Sequence, residues 1–330
     1  MSGLIDSHSR KIDYMRVSVT DRCNLRCRYC MPEQGVEHLP HIEILSYEEI
    51  IRLTRVAINC GVTKIRITGG EPLTRKGAIY LIEQLSLLRG LDDVTLTTNG
   101  VLLASFAGEL KKAGLKRINI SLDTLKREKY HYITRRDLLP RVMEGIKTAH
   151  KEGLSPIKIN CVAIKGFNDE EILDFARLTL EQPYNVRFIE FMPVGENDYW
   201  SPDKSIDAQS IMSVIKKKHE LEPVNSKVNQ NGPARRFRIP GGAGEIGFIT
   251  PLSQHFCDTC NRIRLTADGR LRNCLFSDQE TSIKAALRSG ASDQELERII
   301  RQSIHFKPSG HTLQEDFSHK CKRSMWGIGG

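Results

Sequence analysis

Cys23, Cys27 and Cys30 stand in the segment DRCNLRCRYCMP with CxxxCxxC spacing. Three thiolates on so short a loop can hold three irons of a 4Fe–4S cluster and leave the fourth open to a non-protein ligand, which is a place for chemistry. A zinc knuckle or a fully ligated electron-transfer cluster would use the same spacing. A second set, Cys257, Cys260 and Cys274 in HFCDTCNRIRLTADGRLRNC, again offers three thiolates rather than four, and there His255 would complete a structural zinc site. Arg262 and Arg264 alternate beside these cysteines, and two cations next to an open metal face would recruit an anion. Between the two sets lies GGEP, formed by Gly69, Gly70, Glu71 and Pro72. Adjacent glycines let a backbone approach a ligand closely, and Glu71 can accept a hydrogen bond from an ammonium.

Cys60, Cys161 and Cys321 fall outside both clusters, and the first two read as buried structural thiols. Disulfides are a poor account of nine cysteines in a chain of 330 residues, because the number is odd and six of them are clustered. Hydrophobic content of 39% and charged content of 27% are those of an ordinary globular protein, and no apolar run approaches the roughly 18 residues of a membrane helix. Residues 1–13 have neither a secretory h-region nor an Arg-rich transit character, so a cytoplasmic location is expected. A net charge of +9 asks for an anionic partner: nucleic acid, acidic membrane or a phosphorylated small molecule.

These residues need a frame. Short β-type runs at 14–19, 64–68, 93–98, 116–121, 156–163 and 186–191 alternate with helical patterns, the signature of a parallel βα array. Ser46 and Glu49 form a capping box, and Tyr47, Ile50, Ile51, Thr54, Ala57 and Ile58 recur at helical spacing until Gly61. Further helices fit 77–89, 102–113, 137–152 and 168–181, the last with Asn168 and Glu171 as cap and N3 partner. A helix over 207–219 ends the repeat; loops and short strands are expected at 231–247 and helices at 280–289 and 292–306. The expected fold class is α/β. A partial (βα)6 TIM-type barrel spans 1–220, and a C-terminal extension over 221–330 carries the second cysteine set and closes the barrel. An open doubly wound sheet is the alternative.

Side chains alternate along a strand. If Ile65 and Ile67 face outer helices, Lys64, Arg66 and Thr68 face the lumen. The same parity turns inward Arg16 and Ser18, Thr95 and Thr97, Arg117, Asn119 and Ser121, and Lys158 and Asn160, while Arg187 shares a face with Ile189 and Phe191. Small barrels fill their interior with bulky aliphatics, and buried cations without partners are costly. A single cation could pair with Glu71 or Asp123 or reach solvent at a strand end; the whole set points to a polyanionic substrate.

The cysteine loop followed by GGEP resembles the motifs of the radical S-adenosylmethionine (SAM) superfamily. By that resemblance the methionyl amine and carboxylate of SAM chelate the open iron, and reduction cleaves the sulfonium to a 5′-deoxyadenosyl radical. Thr98, Asn99 and Gly100, and Ser121 to Asp123, then end strands where the adenosyl part would be held. More narrowly, RVSVTDRCNLRCRYCMP, KIRITGGEPLTR, TLTTNG, NISLD, RFIEFMP and CDTCNRIRLTADGRLRNCL, with the terminal Gly329-Gly330, resemble the GTP 3′,8-cyclase family that opens molybdenum-cofactor biosynthesis. The likeness runs from about residue 16 to 330.

This resemblance implies two 4Fe–4S clusters, one on Cys23, Cys27 and Cys30 that takes SAM, and one on Cys257, Cys260 and Cys274 that takes the guanine edge of GTP. It implies SAM contacts from Tyr29, Gly69, Gly70, Glu71, Asn99, Ser121 and Met192. GTP contacts would come from Arg16, Lys64, Arg66, Thr97, Lys158, Arg187, Arg262, Ile263 and Arg264. Gly329 and Gly330 would thread into the active site as catalytic elements with Trp326 as anchor, whereas without the resemblance they read as a frayed end. The product would pass to cyclic pyranopterin monophosphate synthase, electrons would come from a flavodoxin- or ferredoxin-type donor, and a homodimer is compatible with all of this.

An enzyme of the same superfamily acting on RNA or a peptide would carry its cations as an outer stripe with aromatic platforms. Aromatic content is only 6% and the best-placed cations point inward, so neither nucleic acid nor membrane is the expected partner. A non-catalytic iron–sulfur carrier or zinc-stabilised module would have no use for GGEP or a βα barrel. Reconstituted protein is expected to carry about eight irons per chain. Metal analysis giving about four irons and one zinc would remove the second cluster.

Overall fold

Apolar residues at alternate positions of Lys64–Thr68 bury Ile65 and Ile67 completely on one side and leave Arg66 on the other. That alternation recurs through the computed structural model, which describes residues 3–195, 198–224, 232–311 and 321–329. Strands β1 (Tyr14–Ser18), β2 (Lys64–Thr68), β3 (Asp93–Thr98), β4 (Ile118–Ser121), β5 (Ile157–Ala163) and β6 (Tyr184–Glu190) pair in parallel in chain order. Helices α1 (Tyr47–Asn59), α2 (Ala78–Ser86), α3 (Leu103–Lys112), α4 (Arg127–Thr134), α5 (Leu139–Lys151), α6 (Ile172–Glu181) and α7 (Ala208–Lys216) connect and follow them.

The later strands lengthen the sheet on both flanks. β7 (Glu222–Pro223), β8 (Ala234–Arg238) and β9 (Glu245–Ile249) sit beyond β6, and β9 pairs with it in parallel. β10 (Arg262–Leu265), β11 (Arg270–Arg272) and β12 (Glu280–Ser282) sit beyond β1, with β10 parallel to it. The described sheet therefore runs β12-β11-β10-β1-β2-β3-β4-β5-β6-β9-β8-β7 and its two ends do not pair, so the barrel is open along one side. Helices α8 (Lys284–Arg288), α9 (Asp293–His305) and α10 (Met325–Ile328) complete the chain. No helix among the described residues is long and apolar enough to cross a membrane.

Local chemistry sets several boundaries. The Ser46 hydroxyl accepts from Glu49 N at 3.1 Å and the Glu49 carboxylate accepts from Ser46 N at 2.7 Å, which is the expected box at the start of α1. An equivalent box, Ser292 with Glu295, starts α9, and this helix docks on α1 through Arg52, which meets Asp293 at 2.9 Å and the Ala291 carbonyl at 2.6 Å. At the N-terminus an Ile5–Lys11 bridge presents Arg10, paired with Asp6 at 2.6 Å. Arg10 donates to the carbonyls of Cys257 (2.7 Å), Pro308 (2.6 Å) and Ser309 (2.9 Å).

Three expectations are corrected. Asn168 and Glu171 do not form a capping box: residues 169–171 make a 3₁₀ turn with no side-chain cap bond, and α6 starts at Ile172. Instead the Asn168 amide donates to the carbonyls of Asp123 (2.7 Å) and Val162 (2.8 Å), and buried Glu171 accepts from Thr124 Oγ1 (2.8 Å) and Leu125 N (2.7 Å). Loops after β4 and β5 leave backbone groups that must be paired, and that demand outcompetes capping. Residues 280–289 are not one helix, because pairing of Arg270, Leu271 and Arg272 with Ser282, Thr281 and Glu280 makes 280–282 a strand. Finally, α4 occupies a stretch left without an element; it buries only Tyr130, Ile133 and Thr134 and so carries little helical periodicity.

Replacing Glu171 with Ala leaves two buried donors without an acceptor. Urea unfolding is expected to show a loss of about 3 kcal/mol with an unchanged slope. An unaltered midpoint would mean that Glu171 is not holding the β4 loop.

Candidate active site

The strands end around a cavity of about 360 Å³ lined by both cysteine sets. That volume lies within the roughly 300–1,000 Å³ of small-molecule sites, and the position is where βα barrels collect functional groups. The loop carrying Cys23, Cys27 and Cys30 follows β1 and is fastened from both sides. Gly70 N donates to the Thr20 carbonyl (2.8 Å) and Glu71 N to that of Arg22 (2.7 Å). A Cβ on Gly70 would lie 2.4 Å from the Arg22 oxygen, so glycine is required by the approach of two loops. From the other side Arg26 N and Arg28 N donate to the carbonyls of Thr134 and Ile133 at the end of α4, at 3.0 and 2.8 Å.

Two buried carboxylates organise the loops around this one. Glu71 is wholly buried and accepts from Leu73 N (3.1 Å), Thr98 Oγ1 (2.8 Å) and Asn99 N (2.6 Å); burial lifts its carboxyl to about 7 against these bonds. Its oxygens serve protein donors and it does not line the cavity. Asp123 accepts from Tyr29 OH at 2.5 Å and Val162 N at 2.9 Å, and burial lifts it to about 6. Asn99, Ser121 and Met192 line the cavity together with Tyr29, Gly69 and Gly70.

The lumen is cationic by register. Arg264, Arg16 and Arg66 are consecutive partners across β10, β1 and β2, so three guanidinium side chains rise at one level from strands about 4.8 Å apart. Burial holds Arg16 and Arg66 below the ordinary arginine range and brings Arg264 to about 10, and neighbouring cations add to it: Arg264 and Arg66 on Arg16, Arg117 and Arg262 on Arg66, Arg262 and Arg272 on Arg264. Arg187 falls to about 9 and Lys158 to about 6, again by burial first and neighbouring cations second. Arg117 is the lumen cation with a carboxylate partner, Asp93. Among the described residues Nε of Arg16, Arg66 and Arg262 has no hydrogen-bond acceptor, and neither Glu71 nor Asp123 pairs with any of the row.

The second set lies across the same cavity. Burial alone would raise the Cys260 thiol, but Arg262 and Lys307 beside it bring it below its ordinary value. Lys307, itself buried, donates to the Arg262 carbonyl at 3.0 Å. The chain end is docked here rather than frayed. Met325 and Trp326 line the cavity, Trp326 N donates to the Cys30 sulfur, and Gly329 is buried with its carbonyl 2.9 Å from Arg264 Nη1. Gly329 has φ 75°, and a Cβ there would lie 2.5 Å from Thr68 Oγ1. Gly330 lies outside the described residues.

Both cysteine sets and Arg16, Arg66, Thr97, Arg187, Arg262 and Arg264 therefore share one cavity. Five expected site residues do not line it, among them Gly329, which packs against Ser18 and Thr68 and accepts from Arg264. Lys64 starts β2 at the far end, Lys158 sits one inward position below Asn160, Ile263 turns into the core, and Glu71 lies behind the loop. Tyr14, Asn273, Phe256 and Phe276 line the cavity and were not singled out from sequence. Tyr14 shares the inward parity of Arg16, and its ring centroid lies 5.4 Å from the Arg66 guanidinium carbon, a contact the strand pattern could have flagged. The other three sit on loops without periodicity.

The first thiol set suits iron–sulfur ligation. In it, burial pushes Cys23 to about 11 and Cys30 to about 12, so a cationic metal is needed to hold them as thiolates.

A parallel βα sheet with three cysteines on the loop after its first strand is the arrangement of the radical SAM class, and residues 17–179 match the Radical SAM superfamily model. Residues 184–313 match the model for Molybdenum Cofactor Synthesis C. Curated relatives named GTP 3′,8-cyclase from Syntrophomonas wolfei and Moorella thermoacetica are each 50% identical, over 99% and 98% of this chain and 100% and 99% of their own. The chain belongs to the GTP 3′,8-cyclase family. Its superfamily implies a 4Fe–4S cluster and SAM. Streptococcus suis SuiB, solved bound to S-adenosylmethionine, shares the fold with a TM-score of 0.62 at 16% identity, over 96% of this chain and 76% of that one.

Lys158, ordinarily near 10.5 and here at about 6, is mostly neutral at pH 8 in the free protein. An anion in the lumen raises it again, so inorganic triphosphate is expected to take up close to one proton on binding at that pH. Calorimetry in two buffers of different ionisation enthalpy measures this, and Lys158→Met should abolish it. The linked stability has the same sign: the unfolded chain binds the extra proton, so this group costs stability that is recovered as pH rises from about 6 to about 10.5. Buffer-independent heats in the unaltered protein would contradict the shift.

Proposed function

We propose that this chain is a radical SAM GTP 3′,8-cyclase of molybdenum-cofactor biosynthesis, located in the cytoplasm. The row of Arg264, Arg16 and Arg66 between two cysteine sets carries the reading: a polyanion is wanted at one level, with a metal-binding loop on either side. Bound to Cys23, Cys27 and Cys30, the cluster with SAM supplies a 5′-deoxyadenosyl radical on one-electron reduction by a flavodoxin- or ferredoxin-type donor. Tyr29, Gly69, Gly70, Asn99, Ser121 and Met192 hold SAM, with Glu71 acting from behind through Asn99. The lumen cations Arg16, Arg66, Lys158, Arg187 and Arg264 take the triphosphate, Lys64 and Thr97 flank it, and Arg262 and Ile263 frame the base.

A second 4Fe–4S cluster on Cys257, Cys260 and Cys274 would bind the guanine edge, and the thiols, cavity face and flanking cations fit such a group. Fixed at both ends, GTP presents ribose C3′ to the SAM side. One hydrogen passes from C3′ to the 5′-deoxyadenosyl radical, giving 5′-deoxyadenosine; C3′ then bonds to C8 of guanine, and one further electron, from the same class of donor, with one proton from solvent at N7 gives (8S)-3′,8-cyclo-7,8-dihydroguanosine 5′-triphosphate, the substrate of cyclic pyranopterin monophosphate synthase. The Gly329-Gly330 tail serves to position the ribose against the SAM side. The barrel over 1–220 thus serves SAM, and the region over 221–330 serves the base.

Anaerobic incubation with GTP, SAM and dithionite should give 5′-deoxyadenosine and the cyclised nucleotide by mass spectrometry. Arg66→Ala and Lys158→Ala should weaken GTP about tenfold each while SAM affinity holds, with the defect growing from GMP to GTP. Equal affinity of the unaltered protein for guanosine and GTP would overturn the triphosphate site, and SAM cleavage that leaves GTP intact would overturn the cyclase.

A further inference from the structure

The C-terminal segment enters the cavity on a tether. Cys321 bridges Val194, its carbonyl accepts from Gly195 N at 3.0 Å, and its sulfur lies 3.2 Å from Arg272 Nη2. Two residues on, Arg323 grips Asp268 with both terminal nitrogens, at 2.9 and 2.6 Å, and meets Glu280 at 3.0 Å through Nε. Asp268 sits in the turn after β10 and Glu280 opens β12, so the grip belongs to the hairpin that carries Arg264 and leads to Cys274. Burial would raise the Asp268 carboxyl, yet hydrogen bonds from Arg323 and Thr266 bring it to about 2. Arg323 also donates to the Gly327 carbonyl at 3.3 Å, coupling the grip to the last helical turn.

We propose that Arg323, clasped by Asp268 and Glu280, is a positioning residue that sets how far the C-terminal segment reaches into the cavity, and so how the substrate ribose is presented. The inference rests on the reading of Gly329 and Gly330 as active-site elements. Gly329 follows Arg323 by six residues, and its Cα has no slack, since even a Cβ would collide with Thr68 and Ser18. A slip of one residue at the clasp would move the tip by about 1.5 to 3.5 Å, depending on how far the last turn unwinds. Displacements of about 1 Å at reacting atoms already cost about a hundredfold. Asp268, Glu280 and Arg323 do not line the cavity; the clasp acts through the length of chain it fixes.

The test compares Asp268→Asn and Arg323→Gln with the unaltered enzyme and with a variant lacking Gly329 and Gly330, all reconstituted and reduced with dithionite. Iron content and 5′-deoxyadenosine formation should stay within about twofold. Cyclised product per 5′-deoxyadenosine should fall about tenfold or more, because a radical facing a misplaced ribose takes hydrogen from another donor. With GTP deuterated at C3′, deuterium in 5′-deoxyadenosine should fall in step. The double variant should be no worse than Arg323→Gln alone, since that change already breaks both arms of the clasp, and Arg323→Lys should recover part of the ratio.

A merely structural role would lower iron, SAM cleavage and product together and leave the ratio alone, which would overturn the proposal. If the truncated enzyme keeps the unaltered ratio, the reading of the tail fails. If truncation uncouples the reaction and the clasp variants do not, the proposal alone fails.

Discussion

Guanidinium groups at one level on adjacent strands repel one another, and the architecture around the cavity turns on that repulsion. Arg264, Arg16 and Arg66 cannot relax sideways, because parallel pairing fixes their spacing, and they cannot retreat outward, because their strand neighbours Ile65, Ile67, Val17 and Leu265 are buried in the core. Few carboxylates intrude: Asp93 is used by Arg117, while Glu71 and Asp123 are spent on loops. Ligand-free, the lumen stores unfavourable charge that an anion removes. The proposed preference for a triphosphate would follow from the same term that makes the free protein less stable.

The βα frame was legible because each strand is a short period-two run between helical patterns, and β2 and β3 match their expected bounds residue for residue. Inward parity holds for Arg16, Arg66, Thr97 and Asn160, which reach the cavity, while Lys64 and Lys158 share that parity and do not line it; Arg187 reaches the cavity although parity set it on the face of Ile189 and Phe191. Misreadings cluster where a side chain has two available jobs. Asn168 and Glu171 have the spacing of a cap and are claimed by loops far away in sequence. Residues 280–282 have helical neighbours and are claimed by β11. Neither competition is visible locally, because the competing partner arrives only through the fold.

Glu71 shows a related limit within the site. GGEP suggests a carboxylate offered to a ligand, yet the described geometry commits it to Thr98, Asn99 and Leu73. A motif residue can thus hold the loops of a site together without lining its cavity. The glycine pair obeys the same logic at Gly70, whose missing side chain makes room for the Arg22 carbonyl.

The Arg10 contact ties the beginning of the chain to its far end, reaching carbonyls of Cys257, Pro308 and Ser309. β1 likewise finds its outer neighbour, β10, only across the pairing of Tyr14 with Arg262. During synthesis, the outer edge of β1 therefore waits unpaired until residues 262–265 have left the ribosome, and such edges are templates for wrong pairing. At about 5–20 residues per second that wait is on the order of ten seconds or more. The first cysteine loop can be assembled early, whereas the wall around the second is finished last, so the order of translation imposes an order on the maturation of the two sites.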